Sequence, residues 1–294
     1  MTGSALHGRL LPYALVAPAV LLLLLAVAYP IGFNLYAGLH RWNMLYSDTP
    51  EAFLGLRAFA GIVLDGAFWH AVRVTLVITA AAVAIELSLG LALALLVHED
   101  IHAGRLLRTL LVAPIMATPL IVALVFRLMW HGEFGLINYV LSLAGLGPVL
   151  WLTQPATAVT AVVLTEVWHN TSFVFLVLLG ALQMLPREPY EAARVDGATW
   201  LQRLRYVTLP MLRPAILVAL LFRTVFAIRM FDEIWVLTRG GPQNATESIS
   251  LLIYKSAFEM FDVGHAAGLS ILLLLLTAAL ALVMIRTLYR REPA

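Results

Sequence analysis

The sequence predicts an all-α membrane protein of six transmembrane helices with both termini in the cytoplasm. Three observations predict it: the composition, the recurrence of long apolar runs and the sidedness of the arginines. Of 294 residues, 62% are hydrophobic and only 12% charged, with a mean hydropathy of +0.91, too few charges to clothe a water-soluble surface of this size. The net charge of +2 and the dispersed Lys and Arg exclude a nucleic-acid footprint. Cysteine is absent, which excludes disulfides and thiolate metal sites and leaves the redox compartment open.

About 20 apolar residues make one crossing. Such runs occur at Leu11 to Leu39, Val74 to Val97, Thr109 to Trp130, Thr157 to Leu185, Ala215 to Leu237 and Ala266 to Ile285. The first follows Arg9 as a signal peptide would. Its uncharged stretch from Leu10 to Leu39 far exceeds a signal core of roughly 7–15 residues, so it reads as a retained span. Pro12, Pro18 and Pro30 predict kinks there rather than breaks, because neighbouring groups re-satisfy freed carbonyls. Eleven arginines (9, 105, 108, 187, 194, 203, 205, 213, 286, 290 and 291) fall on one side, against Arg41, Arg57, Arg239 and Lys255 on the other. That asymmetry places both termini inside. Three longer connections rich in Gly, Pro and aromatics, Trp42 to Trp69, His131 to Gln154 and Thr238 to His265, then form an outer cap.

Between the fourth and fifth runs lies YEAARVDGATWLQRLRYVTLPMLRP, Tyr190 to Pro214, among the most charged stretches of the chain. Pro189 fits the first turn of a helix through Val195, Gly197 supplies a break, and a second helix from Thr199 to Tyr206 ends before Pro210. Charge alone makes this an ordinary basic cytoplasmic loop. The spacing is more specific: Glu191-Ala192-Ala193, three residues, Gly197, nine residues, Val207, one residue, Leu209-Pro210. It resembles the EAA signature of membrane subunits of binding-protein-dependent ABC importers, with Val207 at the usual Ile position. Phe53 to Thr79 and Phe231 to Ser270 are similar to the carbohydrate branch of that family. The Thr-x-Gly-Gly-Pro turn at Thr238 to Pro242 resembles the maltose-type or glycerol-phosphate-type first permease.

The resemblance implies a type I ABC importer permease fold, one transmembrane permease domain over residues 1–294, and a cytoplasmic coupling loop over 186–213. It implies that Glu191, Ala192, Ala193, Asp196, Gly197 and Ala198 seat in a cleft of an ATPase subunit. The implied partners are a second permease, two ATPase subunits, an extracytoplasmic solute-binding protein and the bilayer of a bacterial or archaeal inner membrane. ATP and Mg would be held by the ATPase subunits, with no cofactor in this chain. Consistently, the only lysine, Lys255, follows Tyr254 and not the Gly-rich turn that a P-loop needs.

Ionisable groups at bilayer depth are expensive and point to function when they face a cavity or partner. Glu166, Asn170 and Phe173 share one helical face on the fourth run; Arg223, Phe226, Met230 and Glu233 share another on the fifth. Polar groups beside aromatics suit a sugar, whose ring offers C–H faces and hydroxyls. In maltose-type relatives the path draws on these two helices, which implies Asn170, Phe173, Phe226, Ala227 and Met230 here. The candidate substrate path is therefore Glu166, Asn170, Phe173, Arg223, Phe226, Ala227, Met230 and Glu233. The alternative is that the charges only join helices, as Glu166 with Arg223, or Arg229 with Asp232 or Glu233. Glu86, alone amid Ala and Leu, reads as an interhelix or interfacial hydrogen bond.

A different chemistry is offered by His98-Glu99-Asp100-Ile101-His102, which satisfies H-E-x-x-H, the helical zinc pattern of metalloproteases. It falls at the predicted membrane edge with Gly104 close behind and no third ligand in a buried segment, so no metal or catalytic residue is assigned. A secondary transporter would show repeated halves and broken midplane helices, and the sequence shows neither clearly. The expected function is ATP-coupled import of a sugar, a disaccharide or oligosaccharide, by alternating access. Glycerol phosphate or another non-sugar solute is the alternative.

Overall fold

The computed structural model describes residues 3–99 and 104–289. In chain order the elements begin with α1 (Gly3–Gly38), the short antiparallel pair β1 (His40–Arg41) and β2 (Ala52–Phe53), α2 (Leu56–Leu64), and α3 (Gly66–Glu99). They continue with α4 (Gly104–Val112), a 3-10 turn (Ala113–Met116), α5 (Pro119–Met129), α6 (Leu136–Leu143) and α7 (Pro155–Gln183). Then follow α8 (Glu188–Val195), α9 (Trp200–Arg203), α10 (Leu209–Ala227), α11 (Asp232–Leu237), α12 (Ile249–Tyr254) and α13 (Val263–Tyr289). Among the described residues five helical stretches are long and apolar enough to cross a membrane, with a bent pair as a sixth if it counts as one span.

The chain divides into two compact units. In the first, Met1–Phe68 with Ile253–Leu275, α1 runs unbroken through its prolines, and the Asn34 amide donates to the Pro30 carbonyl at 3.0 Å. Gly38 at the end of α1 meets the backbone of α13: a Cβ there would stand 3.0 Å from the Gly268 nitrogen. Gly264 and Gly268, four residues apart, give α13 the small-residue face that lets membrane helices approach closely. Asn43 ties the β1–β2 loop to the turn before α13 by donating to the Met260 carbonyl at 3.2 Å.

In the second unit, Trp69–Leu252 with Leu276–Ala294, the core joins α3, α7 and α10 through Ala94, Val97, Val174, Phe175, Leu178, Leu182 and Leu212. Gly90 permits that approach, since a Cβ there would lie 2.5 Å from Val174 Cγ1. Asn138 organises the turn after α6 with all four of its side-chain bonds satisfied. Its Nδ2 donates to the carbonyls of Gly132 and Val149, and its Oδ1 accepts from Val149 N and Trp151 Nε1.

Three expectations change in detail. The third predicted span, Thr109 to Trp130, is α4 and α5 meeting at 99°. Pro119 occupies the first turn of α5 and forces Thr118 into an extended conformation (ψ 146°), and Ala117 is extended too. Apolarity continues through the bend although the helix does not. The fifth span begins earlier than predicted: α9, a π turn (Leu204–Thr208) and α10 form one helical stretch, Trp200–Ala227, and α11 is separate. Pro210 therefore does not stop the loop's second helix. In the π turn the Leu209 N–H reaches back five residues to the Leu204 carbonyl, and Thr208 Oγ1 donates to Arg203 O at 3.4 Å, so the wider turn absorbs the proline.

Replacing Gly90 by Leu forces side-chain atoms against Val174 and the Phe175 backbone. The expected loss is about 1–3 kcal/mol of stability, read as a lower thermal midpoint in detergent. An unchanged midpoint would show that α3 and α7 separate without cost.

Candidate transport site

The site begins with α7. Glu166, His169, Asn170 and Phe173 recur at three and four residues, so one stripe carries a carboxylate, an imidazole, an amide and an aromatic ring. The end of α10 brings Arg223 and Phe226, and the break after Ala227 turns Met230 and the start of α11 back toward the same place.

Arg223 is buried, with 4% of its surface exposed, and its guanidinium is held through Nε and Nη2. Its Nε and Nη2 grip the Glu86 carboxylate at 2.6 and 3.0 Å, and Nη2 also donates to Glu166 Oε1 at 2.6 Å. One cation thus joins α3, α7 and α10. Burying an ion costs several kcal/mol, and planar, charge-assisted bonds of this geometry are the arrangement that offsets it. Beside this triad, His169 Nδ1 lies 3.5 Å from Glu233 Oε1, and His169 Nε2 donates to the Ala117 carbonyl at 3.1 Å.

A cavity of about 510 Å³ opens onto these groups. Of the predicted path, Glu166, Asn170, Phe173, Arg223, Phe226, Met230 and Glu233 line it, whereas Ala227 is buried and is not among the wall residues. Phe173, Phe222 and Phe226 form an aromatic row with centroids 6.4 and 6.5 Å apart. Of the proposed helix-joining pairs, Glu166 with Arg223 forms, and Glu86 is the partner that the sequence did not connect to it. Glu233 faces His169. The wall also holds His169, Arg229, Phe231, Asp232, Ile115 and Pro119. His169 is missing from the predicted path, although its spacing of three from Glu166 puts it on the same α7 face; Ile115 and Pro119 reach the cavity through the α4–α5 bend, which the apolar run conceals.

The coupling candidates sit together elsewhere. Glu191, Ala192 and Ala193 lie on α8, and its end is a Schellman closure: Ala198 N donates to Ala193 O at 2.9 Å and Gly197 N to Arg194 O at 3.1 Å. Gly197 takes φ 75°, which explains glycine at that position. Thr199 and Gln202 then form a capping box that starts α9. Glu191, Ala192, Asp196 and Gly197 are exposed, Ala193 and Ala198 partly so. Tyr190 anchors this knuckle by donating to Thr208 Oγ1 at 3.1 Å, across to the π turn that leads into α10. Of the zinc-like motif at 98–102, His98 is exposed at the end of α3, and residues 100–102 lie outside the described residues.

An exposed helical knuckle linked to a membrane-spanning helix, and a polar cavity among such helices, define a solute-conducting membrane subunit. The chain belongs to the family of binding-protein-dependent transport system inner membrane components, whose model matches residues 86–292. It is a multi-pass inner-membrane permease of an ABC importer and not an enzyme. It is 40% identical over 285 residues to the trehalose transport system permease SugA of Mycobacterium tuberculosis, covering 97% of this chain and 91% of that one. It is 36% identical over 283 residues to the trehalose/maltose transport system permease MalF of Thermococcus litoralis, covering 96% and 95%. Its fold is similar to a chain of a bacterial ABC transporter that imports the acidic polysaccharide alginate (TM-score 0.83, 24% identity, 98% of each chain). A second crystal structure of a bacterial alginate transporter, in complex with a pentasaccharide-bound periplasmic protein, matches with TM-score 0.77 and 26% identity over 96% of this chain and 94% of that one.

Replacing Arg223 by Met strands two buried carboxylates, Glu86 and Glu166. The expected cost is about 3–5 kcal/mol. Adding Glu86→Gln and Glu166→Gln recovers most of it, as measured by thermal unfolding in micelles; a single variant as stable as the parent would contradict the triad.

Proposed function

We propose that this permease moves a neutral disaccharide or oligosaccharide into the cytoplasm, through a path that includes the cavity between α7, α10 and α11. The observation that carries this reading is the cavity wall: the rings of Phe173 and Phe226 beside an amide, an imidazole and paired charges, in about 510 Å³, within the range of small-molecule sites. Sugar rings stack their C–H faces on such aromatics and hydrogen-bond at their edges. The relatives named for trehalose and maltose transport support the solute class.

Glycerol phosphate, or another anionic solute, is supported less well. Arg223 is already committed to Glu86 and Glu166, and the wall holds three carboxylates, Glu166, Asp232 and Glu233, against Arg223 and Arg229.

The chain would act as one permease domain over 1–294, with six spans, the bent α4–α5 pair as the third, and both termini in the cytoplasm, where the arginine excess points. The segment 186–213 would be the coupling loop. Glu191, Ala192, Ala193, Asp196, Gly197 and Ala198 would dock into an ATPase subunit: small residues allow close approach, and the two carboxylates offer hydrogen-bond acceptors. A second permease would complete the path, two ATPase subunits would drive it, and an extracytoplasmic protein would deliver solute. Nucleotide-driven closure would pull on α8, and the Tyr190–Thr208 bond would pass that movement to α10 and its Arg223. Access would alternate by rigid movement of packed helices.

Two outcomes test the reading in vesicles reconstituted with partner subunits. Glu191→Lys is expected to leave the chain inserted and abolish both uptake and stimulation of ATP hydrolysis; normal uptake removes the coupling role. Phe173→Ala is expected to slow uptake of labelled trehalose or maltose by roughly three- to tenfold, the scale of a lost aromatic contact, with the complex still assembled. Unchanged uptake kinetics would reduce Phe173 to helix packing.

A further inference from the structure

We propose that Glu166, His169 and Glu233 form a binding site for one divalent first-row transition-metal cation on the wall of the cavity. Each residue offers one ligand atom, and the three atoms lie within 4.8 Å of one another. Ligand bonds to zinc of about 2.0–2.2 Å put neighbouring donors roughly 3.3 Å apart in a tetrahedral set, so the donors have to draw in by up to about 1.5 Å around an ion. All three residues are buried, Glu166 at 4%, His169 at 5% and Glu233 at 4% exposure.

The imidazole supplies an independent observation. Its Nε2 faces the Ala117 carbonyl, which can only accept, so Nε2 carries a hydrogen. Nδ1 is the atom turned toward Glu233, and it is buried without a hydrogen-bond partner. A bare lone pair aimed at a carboxylate 3.5 Å away in a desolvated place is repulsive, so either a proton on Nδ1 or a cation between the two atoms is required. A cation between them makes both atoms ligands. Metal-binding histidines commonly donate their second N–H to a carbonyl in this way, which fixes tautomer and ring orientation.

Charge and sequence agree. Around the cavity, four carboxylates (Glu86, Glu166, Asp232 and Glu233) outnumber two guanidiniums (Arg223 and Arg229), an excess that a divalent ion offsets. Arg223 occupies Glu166 Oε1 and leaves Oε2 for the ion. Glu166-Val167-Trp168-His169 is a Glu-x-x-His spacing, which puts both ligands on one helical face; bundle metal sites use the same pair. One imidazole with two carboxylates favours Zn²⁺, Co²⁺ or Mn²⁺ over Ca²⁺ and Mg²⁺, which prefer all-oxygen shells. Three protein donors leave a position open to the cavity for water or a solute hydroxyl, and the ion would tie α7 to α11.

The test uses the tag-free full chain, purified in detergent and stripped of metal, titrated with Zn²⁺ by calorimetry and with Co²⁺ by visible absorption. One equivalent per chain is expected, with a Co²⁺ spectrum showing nitrogen ligation and a Zn²⁺-dependent rise in thermal midpoint that Mg²⁺ does not reproduce. His169→Gln and Glu233→Gln should each weaken binding by more than the roughly 10- to 100-fold that losing an outer-shell partner costs, while His98→Gln leaves it intact. Size-exclusion profiles establish that the variants remain folded, and the stripped parent protein reads the site independently of them. Absence of stoichiometric binding in the parent overturns the proposal and leaves a His169–Glu233 ion pair. Binding that survives both substitutions, or that is lost with His98→Gln, overturns it as well.

Discussion

Arg223 is the interaction on which the rest of the second unit depends. A guanidinium at 4% exposure among membrane helices is tolerable only because two carboxylates meet it, Glu86 from α3 and Glu166 from α7. Their positions are fixed in return, and so are the rotations of three helices about their axes. Apolar packing through Phe175, Leu178 and Leu212 holds the same helices together, but aliphatic side chains in a lipid environment have little reason to prefer one rotation over another. The ion triad supplies that preference. With α7 and α10 so turned, Phe173, Phe226 and Asn170 line the same cavity.

The bend between α4 and α5 is the second constraint. A straight third helix would carry Ile115 and Pro119 along one axis, whereas the 99° turn puts both at the cavity wall and leaves the Ala117 carbonyl free to accept from His169. A break at membrane depth exposes backbone carbonyls, and a side-chain donor on a neighbouring helix is one way to satisfy them. His169 thereby links the broken segment to the charged centre.

Much of this was legible in the sequence, and the parts that were not share a cause. The apolar runs place the fourth and sixth spans within four residues of α7 and α13 at both ends, and the first and second within two residues of α1 and α3 at their C-terminal ends but eight residues late at their starts. Helical spacing collects Glu166, Asn170 and Phe173 on one face; apolarity and spacing are both local properties of the chain. Turn chemistry was legible at Gly197 and Thr199 for the same reason. The partners of Arg223 lie 137 and 57 residues away, so only Glu166 could be suggested and Glu86 looked solitary. The π turn at Leu204–Thr208 lets helix continue through Pro210, a compensation that proline rules alone do not contain. Ala227 belongs to the right helix, but its rotation is set by Arg223, and it ends behind the wall.

The most direct test of the arrangement uses the absence of cysteine from the chain. A single Cys placed at Asn170, with partner subunits reconstituted in vesicles, reports whether the face that Arg223 orients is wet. Reaction with a membrane-impermeant thiol reagent, slowed when the transported sugar is present and lost when Arg223 is also replaced by Met, is the result predicted. A Cys that resists the aqueous reagent and reacts only with a lipid-soluble one would place that face against the bilayer and contradict the account.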